Sequence, residues 1–307
     1  MRNTSLNKVH DLARKDSRVV FIGSDLGVGT LKAMKAEMPE RFFMEGVAEQ
    51  NVIGMAAGMA MDGLIPYVNT IAPFITRRCY EQVAVDVCVH NLPVRLIANG
   101  GGVVYAPLGP THLAIEDFAI LRALPNMAVV AVSDAEEMKR LMDVSLDWPG
   151  PLYIRLAKGG DPVISQPSDD FRIGKAILRR PPGRVLMVAT GATTERCLKA
   201  AEILAAGGIE SGVLHMHTIK PLDVGALLSL VPGRDLLVTV EEHLLAGGLG
   251  SAVLEVLVDA GVNLPKVVRL GIPDSFTKEY GSQDTMFETF GLTAGQIAEK
   301  VRTALNP

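Results

Sequence analysis

The strongest constraint on the fold is the alternation of short apolar runs with stretches of helical periodicity along the chain. In the first half, runs rich in valine and isoleucine occupy residues 18–23, 65–69, 94–98, 128–132 and 152–155. Helix-like stretches lie between them, at about residues 51–61, 75–90, 115–124 and 135–146. Strands that are apolar without alternation and are separated by helices predict a parallel sheet with helices on both faces.

This pattern breaks at residues 158–184, where glycine, proline and acidic residues accumulate, and such a stretch is typical of a domain boundary. The alternation then resumes, with strands at 185–189, 211–215, 236–239 and 267–269 and helices at 194–206, 248–260 and 294–305. We therefore predict an α/β fold of two doubly wound, mostly parallel-sheet domains. The predicted boundaries are 1–165 for the first domain, 166–183 for a linker and 184–307 for the second domain.

Charge and composition argue against two classes of partner. The 307 residues carry a net charge of −4 and only 5% aromatic residues, so neither nucleic acid nor an anionic membrane is an expected partner. No apolar run reaches the roughly 18 residues of a membrane helix, and the opening residues lack the apolar core of a signal peptide. The three cysteines have no metal-binding spacing. We expect a cytoplasmic protein with reduced thiols and no metal ligands of its own.

A glutamate at the entrance of a helix is the first candidate for chemistry. Glu49 precedes a stretch rich in small residues, with Gly54 and Gly58 one turn apart. A carboxylate in the first turn of a helix is stabilised by the helix dipole. On these residues alone, Glu49 either stabilises the helix end or has a functional role.

The sequence around this glutamate resembles a known signature. Residues 46–51, Gly-Val-Ala-Glu-Gln-Asn, are similar to the Gly-Ile/Val-x-Glu-Gln/His motif of thiamine-diphosphate enzymes of the transketolase group. Further matches follow the family order, at residues 23–26, 109–112 (Gly-Pro-Thr-His), 124–127, 220–223, 240–243 and 247–250. The resemblance implies a transketolase pyrimidine-binding domain followed by a transketolase C-terminal domain.

The resemblance also implies roles for the residues that bind the cofactor. Glu49 matches the glutamate that activates the aminopyrimidine of thiamine diphosphate, and Phe74, Arg77 and Tyr80 match the region that holds this ring. Asp25 matches a family aspartate near the cofactor. Two structural alternatives stay open: Tyr80 could lie on the core face of a helix, and Asp25 could be a helix N-cap.

Two further matches concern the substrate. His112 lies in the Gly-Pro-Thr-His motif and matches a family histidine that contacts the thiazolium side of the cofactor and the sugar hydroxyls. Arg155 ends a predicted strand and matches an arginine that binds a sugar phosphate, a group that guanidinium binds well. A structural ion pair is the alternative for Arg155.

The sequence lacks the family's Gly-Asp-Gly motif, which belongs to the domain that binds Mg²⁺ and the diphosphate. Residues 247–250 are glycine-rich but lack the spacing of a nucleotide-binding loop. The resemblance therefore implies a partner subunit that supplies the metal and diphosphate site, with an α2β2 heterotetramer as the expected assembly. Small sugars are the implied substrates.

At two positions the chain departs from the transketolase pattern. Leu108 replaces an aspartate that reads a substrate hydroxyl, and Gly100 replaces a histidine that binds a substrate phosphate. These losses put the ordinary pentose phosphates in doubt and leave a modified or non-phosphorylated ketose open. A β subunit of a 2-oxo acid dehydrogenase, a deoxyxylulose-phosphate-synthase-like enzyme and a non-catalytic relic are the alternatives. The Gly-Pro-Thr-His motif favours a transketolase over the dehydrogenase, and the presence of Glu49, Phe74 and His112 together argues against a relic.

Overall fold

The computed structural model of the chain describes residues 1–24, 29–157, 159–278 and 280–305. It contains two mixed, mostly parallel sheets with flanking helices, which confirms the predicted fold class. No helix within these ranges is long and apolar enough to cross a membrane.

The strands, in chain order, are β1 Val19–Gly23, β2 Phe42–Met44, β3 Ile65–Ile71, β4 Arg95–Asn99, β5 Ala128–Ala131, β6 Leu152–Arg155, β7 Ile177–Arg180, β8 Val185–Ala189, β9 Ser211–His215, β10 Thr218–Lys220, β11 Leu236–Leu244 and β12 Lys266–Ile272. The helices are α1 Arg2–Lys15, α2 Lys32–Glu37, α3 Glu49–Met61, α4 Ala72–Ile75, α5 Tyr80–Gln82, α6 Asp117–Arg122, α7 Ala135–Ser145, α8 Thr193–Ala206, α9 Val224–Leu230, α10 Leu249–Asp259, α11 Gln283–Thr289 and α12 Ala294–Leu305. Short 3-10 turns occupy Pro39–Arg41, Ala106–Leu108 and Pro110–His112.

The first sheet has the strand order β10-β5-β6-β4-β3-β1-β2, and the second has the order β12-β11-β8-β9-β7. Each sheet has one antiparallel pair, at β10–β5 and at β7–β9, and the other pairs are parallel. Because β10 follows β9 in the chain but pairs with β5, the second half of the chain contributes a strand to the first sheet.

Both faces of the first sheet are buried, which explains the unbroken apolar runs. Val19 and Phe21 of β1 pack in one cluster with residues of α1 and α7. Ile22 points the other way and packs in a second cluster with Val52 and Ile53 of α3. Neighbouring residues of a strand face opposite sides, so a sheet covered on both sides needs apolar residues at successive positions.

The structure adds elements that the sequence did not predict, such as α1 and β10, and it differs from the sequence-based elements at residues 75–90 and in the predicted linker. The predicted helix at 75–90 is wrong as a single helix, because α4 ends at Ile75 and a non-helical stretch follows before α5, which continues as a π-helix over Val83–Cys88. Thr76, with φ −107° and ψ −86°, interrupts the helical geometry. Strand β7 lies inside the predicted linker and pairs with β9 of the second sheet.

Three connections at the carboxyl edge of the first sheet build the candidate site. The chain passes from β2 into α3, from β3 directly into α4, and from β4 into the loop that contains residues 100–112. In open α/β sheets this edge is the usual place for a ligand site.

Candidate active site

Glu49 is the first residue of α3, just beyond the end of β2. Its side chain is only 2% exposed, and its Oε2 accepts a hydrogen bond from Nη1 of Arg78 at 2.7 Å. The turn before the helix contains Gly46 with φ +70°, a conformation that glycine adopts without strain. The edge of the sheet thus carries a buried carboxylate. Its ion-pair partner among the described residues is a half-exposed arginine.

Phe74 of α4 lies next to this ion pair. The guanidinium carbon of Arg78 is 4.0 Å from the centroid of the Phe74 ring, so the same cation contacts the carboxylate and the aromatic face. Arg78 is a functional candidate that the sequence reasoning missed. No local pattern pointed to it, because the helix that contains Phe74 ends at Ile75 and Arg78 lies in the non-helical stretch that follows.

His112 reaches the same place from the loop after β4. Its ring meets that of Phe74 edge-on, with centroids 5.2 Å apart and an interplanar angle of 67°. The hydroxyl of Thr111 is 2.9 Å from Nδ1 of His112. The loop is closed at its base by a bridge in which Gly102 and Ala114 exchange main-chain hydrogen bonds. The structure thus brings Glu49, Phe74 and His112 together.

Arg77 and Tyr80 connect this group to the rest of the domain. Arg77 forms an ion pair with Glu116, with 3.0 Å between Nε and Oε1, and its Nη2 donates to the carbonyl of Thr111. The Tyr80 hydroxyl donates to the carbonyl of Ile120 at 2.9 Å, and the ring packs against the apolar core. Tyr80 therefore has the core contacts of the structural alternative, while Arg77 supports the turn that bears His112.

A cavity of about 610 Å³ opens beside these residues. Its lining consists of Pro73, Phe74, Arg77, Arg78, Pro110, Thr111 and Phe276. Such a volume is within the ordinary range for small-molecule sites. An apolar wall with an aromatic face and a buried carboxylate behind it suits a flat, nitrogen-containing ring, so these residues fit the aminopyrimidine of thiamine diphosphate.

Arg155 does not join this group. It is buried, with Nε 3.0 Å from Oδ2 of Asp117 and Nη2 donating to the carbonyls of Ala114 and Glu242. Its guanidinium also lies 4.2 Å from the Phe118 ring centroid. These contacts are those of the structural ion pair that the sequence left open. The other predicted cofactor neighbour, Asp25, lies outside the described residues.

The second domain fixes the loop that contains His112 through the end of β11. Glu242 accepts hydrogen bonds from the main-chain N–H of Val103 at 2.8 Å and from Gln283 at 2.9 Å. Next to it, Nε2 of His243 accepts the N–H of Ala119 at 3.2 Å. The sequence showed the motif at 240–243 but gave no indication that it packs against the first domain.

Among the described residues, no group of three or more His, Cys, Asp or Glu side chains is arranged to hold a metal ion.

Comparison with known proteins identifies both halves of the chain. Residues 1–160 match the model of the transketolase pyrimidine-binding domain, and residues 174–297 match that of the transketolase C-terminal domain. The chain is 38% identical over 299 residues to a 6-deoxy-6-sulfo-D-fructose transketolase subunit of Clostridium sp., covering 97% of this chain and 92% of that subunit.

Longer relatives and a solved structure give the same assignment. The chain is 38% identical over 296 residues to 1-deoxy-D-xylulose-5-phosphate synthase of a Synechococcus species; this match covers 95% of the chain but only 45% of that enzyme. The chain therefore spans less than half the length of such relatives. A split-gene transketolase, solved as an inactive β4 tetramer, superposes with a TM-score of 0.89 and 34% identity, covering 99% of this chain and 97% of that one. The chain belongs to the transketolase family, as a subunit that comprises its pyrimidine-binding and C-terminal domains.

Proposed function

We propose that this chain is the cofactor-activating subunit of a cytoplasmic, split, thiamine-diphosphate-dependent transketolase. It would transfer a two-carbon ketol unit from a ketose to an aldose. The observation that carries the proposal is a series of contacts: the buried carboxylate of Glu49 pairs with Arg78, Arg78 lies over the ring of Phe74, and that ring meets the imidazole of His112.

When bound, thiamine diphosphate supplies the electron sink that allows a carbon–carbon bond next to a carbonyl to break. The part proposed for Glu49 is to share a proton with ring nitrogen N1′ of the aminopyrimidine, which is the family's way of activating the cofactor. Burial suits this task, because a carboxylate shielded from water interacts more strongly with a bound ring. Arg78 would hold the Glu49 carboxylate in place, as its 2.7 Å contact suggests.

The other residues have supporting parts in this proposal. Phe74 would form an aromatic wall for the aminopyrimidine, and Arg77 holds the turn at Thr111 through its hydrogen bond to the Thr111 carbonyl. His112 would donate hydrogen bonds to the hydroxyl groups of the sugar. Asp25 keeps its proposed place near the cofactor. For Arg155 we propose a structural role, since its contacts to Asp117 and two carbonyls engage both Nε and Nη2.

The metal and the diphosphate would be bound by a partner subunit in an α2β2 heterotetramer. Support comes from two relatives of similar length: the chain covers 92% of the Clostridium transketolase subunit and 97% of the split-gene transketolase chain. An exposed face next to the site adds to this: Gly54 and Gly58 of α3 are exposed, as are the apolar side chains of Met61, Val85 and Val89. Apolar groups exposed together in this way are typical of protein interfaces.

The proposed donor is a ketose without the usual pentose phosphate features. A Cβ added to Gly100 would lie 2.1 Å from Cε2 of Tyr105, and φ at Gly100 is +71°. A phosphate-binding histidine therefore does not fit at position 100 while Tyr105 keeps its place. Leu108, at the position of the hydroxyl-reading aspartate, is exposed. A sulfonated ketose is one candidate, because the Clostridium relative is a 6-deoxy-6-sulfo-D-fructose transketolase subunit.

The test is a titration of thiamine diphosphate and Mg²⁺ into this chain alone and then with its candidate partner, followed by ketol transfer from a panel of ketoses. The Glu49→Gln variant should fold normally by circular dichroism and lose at least about 100-fold in turnover, the usual scale for a proton-transfer group. Glu45→Gln is the matched control, because Glu45 is an exposed glutamate of the same connection. It should retain wild-type turnover.

The outcomes separate the candidate functions. Two-carbon transfer by the pair supports a transketolase, while decarboxylation of 2-oxo acids by the pair points to a dehydrogenase-type β subunit. Condensation of pyruvate with glyceraldehyde 3-phosphate points to a synthase like the Synechococcus relative. Tight cofactor binding by this chain alone contradicts the proposed division of the site, and full turnover by Glu49→Gln contradicts the role of Glu49.

A further inference from the structure

One segment of the second domain carries two large aromatic side chains that remain mostly exposed. This aromatic segment, defined as residues 273–278 and 280, follows β12 and precedes α11. Phe276 and Tyr280 are each 69% exposed. An aromatic side chain buries on the order of 150–250 Å² when it is covered, so both rings retain unused contact area.

Phe276 contributes to the same cavity as the proposed cofactor residues. It is the member of the cavity lining that comes from the second domain, alongside Phe74, Arg77 and Thr111 of the first. More than 160 residues separate Phe276 from any of these along the chain, so only the packing of the two domains places it there.

Tyr280 packs on the turn that contains His112. A Cβ added to Gly109 would lie 2.6 Å from Cε1 of Tyr280, so the ring lies directly against the backbone of this glycine. Gly109 has φ +77° and immediately precedes the 3-10 turn Pro110–His112. The N–H of His112 donates to the carbonyl of Gly109 at 3.0 Å. A side chain of the second domain thus contacts the residue from which the turn bearing His112 begins.

Both ends of the aromatic segment are anchored. Ile272 at its start and Met286 beyond its end are buried in one apolar cluster with Val103, Ala106 and Leu113 of the His112 loop. Thr277 makes a 3.6 Å contact from its hydroxyl to the sulfur of Met286. The base of the segment is therefore fixed to the His112 loop, while its two rings stay mostly exposed.

We propose that the aromatic segment is a wall of the sugar-binding site, a part of the site that the second domain supplies. Phe276 contacts the bound ketose on its apolar C–H face, beyond the two carbons that are transferred, and Tyr280 is a positioning residue that holds the turn bearing His112. This inference rests on the proposed function, because it takes a sugar to bind beside the cofactor ring that the same cavity would hold.

The kinetic test uses the assembled enzyme with the ketose that the panel identifies. Phe276→Ala should raise KM for the ketose about tenfold with little change in kcat, because a wall residue binds ground state and transition state alike. Val258→Ala removes a similarly exposed apolar side chain of the same domain and should leave both constants unchanged. Assembly with the partner, measured by sedimentation, should be unchanged in both variants.

A second measurement needs neither cofactor nor turnover. Hydrogen–deuterium exchange of the chain alone should show exchange at residues 109–113 accelerated about tenfold by Tyr280→Ala and unchanged by Tyr280→Phe, which keeps the ring. In the assembled enzyme, addition of the ketose should protect the amides around Phe276.

The results distinguish this inference from the proposed function. If the wild-type pair transfers no two-carbon unit, the proposed function fails and the sugar wall fails with it, whereas the exchange result still tests the contact of Tyr280. If the wild type is active and Phe276→Ala leaves KM unchanged, the wall is refuted. Loss of assembly in Phe276→Ala also overturns it, because the ring would then belong to the subunit interface.

Discussion

Acidification should destabilise the chain through His217, a buried histidine between β9 and β10, where the chain crosses from the second sheet to the first. The ring is fully buried and stacks on Phe171 with centroids 4.3 Å apart. Burial lowers the pKa of His217 to about 4, although the nearby carboxylate of Glu137 acts in the opposite direction. The folded protein therefore keeps this ring neutral at a pH where an unfolded chain protonates it.

The size of the effect follows from linkage. A folded pKa near 4, against an ordinary value of 6.5, means that the unfolded state binds the proton first as the pH falls. Stability is thus complete above pH 6.5 and is lost progressively between 6.5 and 4. A pH of 5 lies about 1.5 pH units below 6.5. At about 1.4 kcal/mol per pH unit, the free energy of unfolding is therefore about 2 kcal/mol lower at pH 5 than at neutral pH.

The assay is urea unfolding followed by circular dichroism at pH 7.5 and at pH 5. His217→Phe keeps a ring against Phe171 but cannot titrate, so its free energy of unfolding should fall between the two pH values by about 2 kcal/mol less than that of the wild type. His90→Phe is the control, because His90 is exposed. An identical pH dependence in His217→Phe and the wild type would refute the reasoning.

Two further predictions concern the interior of the molecule. Arg95 is fully buried and donates to four main-chain carbonyl groups between residues 145 and 150. The Arg95→Met variant should lower the free energy of unfolding by more than about 3 kcal/mol, because these acceptors lose their partner. A loss below about 1 kcal/mol in urea unfolding would contradict this. Burial raises the pKa of all three thiols, so iodoacetamide at pH 8 should leave the native chain unmodified and alkylate three residues after denaturation. Rapid alkylation of the native chain would show an accessible thiolate. The thiols are those of Cys79, Cys88 and Cys197.

The central strands were predictable because each is apolar at successive positions. Strands β1, β3, β4, β8 and β9 appear within about two residues of the predicted ranges. Two strands, β7 and β10, were not predictable in this way. The three-residue strand β10 and the four-residue strand β7 form antiparallel pairs with strands distant in sequence. Their pairing depends on where the chain returns to a sheet edge, and local composition carries no information about that.

The residues of the predicted site also fall into two groups. Glu49, Phe74 and His112 all lie on connections that leave the carboxyl end of a strand, and parallel strands bring such connections to one edge. Arg155 is itself the last residue of β6, and the structure places it in a buried ion pair with Asp117. The sequence could not distinguish these outcomes, because a guanidinium binds a carboxylate or a phosphate equally well.

The sequence by itself determined the two-domain α/β architecture, the family and the set of residues at one edge of the first sheet, because these follow from local hydrophobic patterning and contiguous motifs. Only the tertiary structure decided which groups meet across the chain. It brought Arg78 onto both Glu49 and Phe74, put Phe276 of the second domain into the cavity, and set Tyr280 against Gly109. Such contacts depend on how separate segments of the chain pack against one another, and no pattern within a short stretch of sequence records that packing.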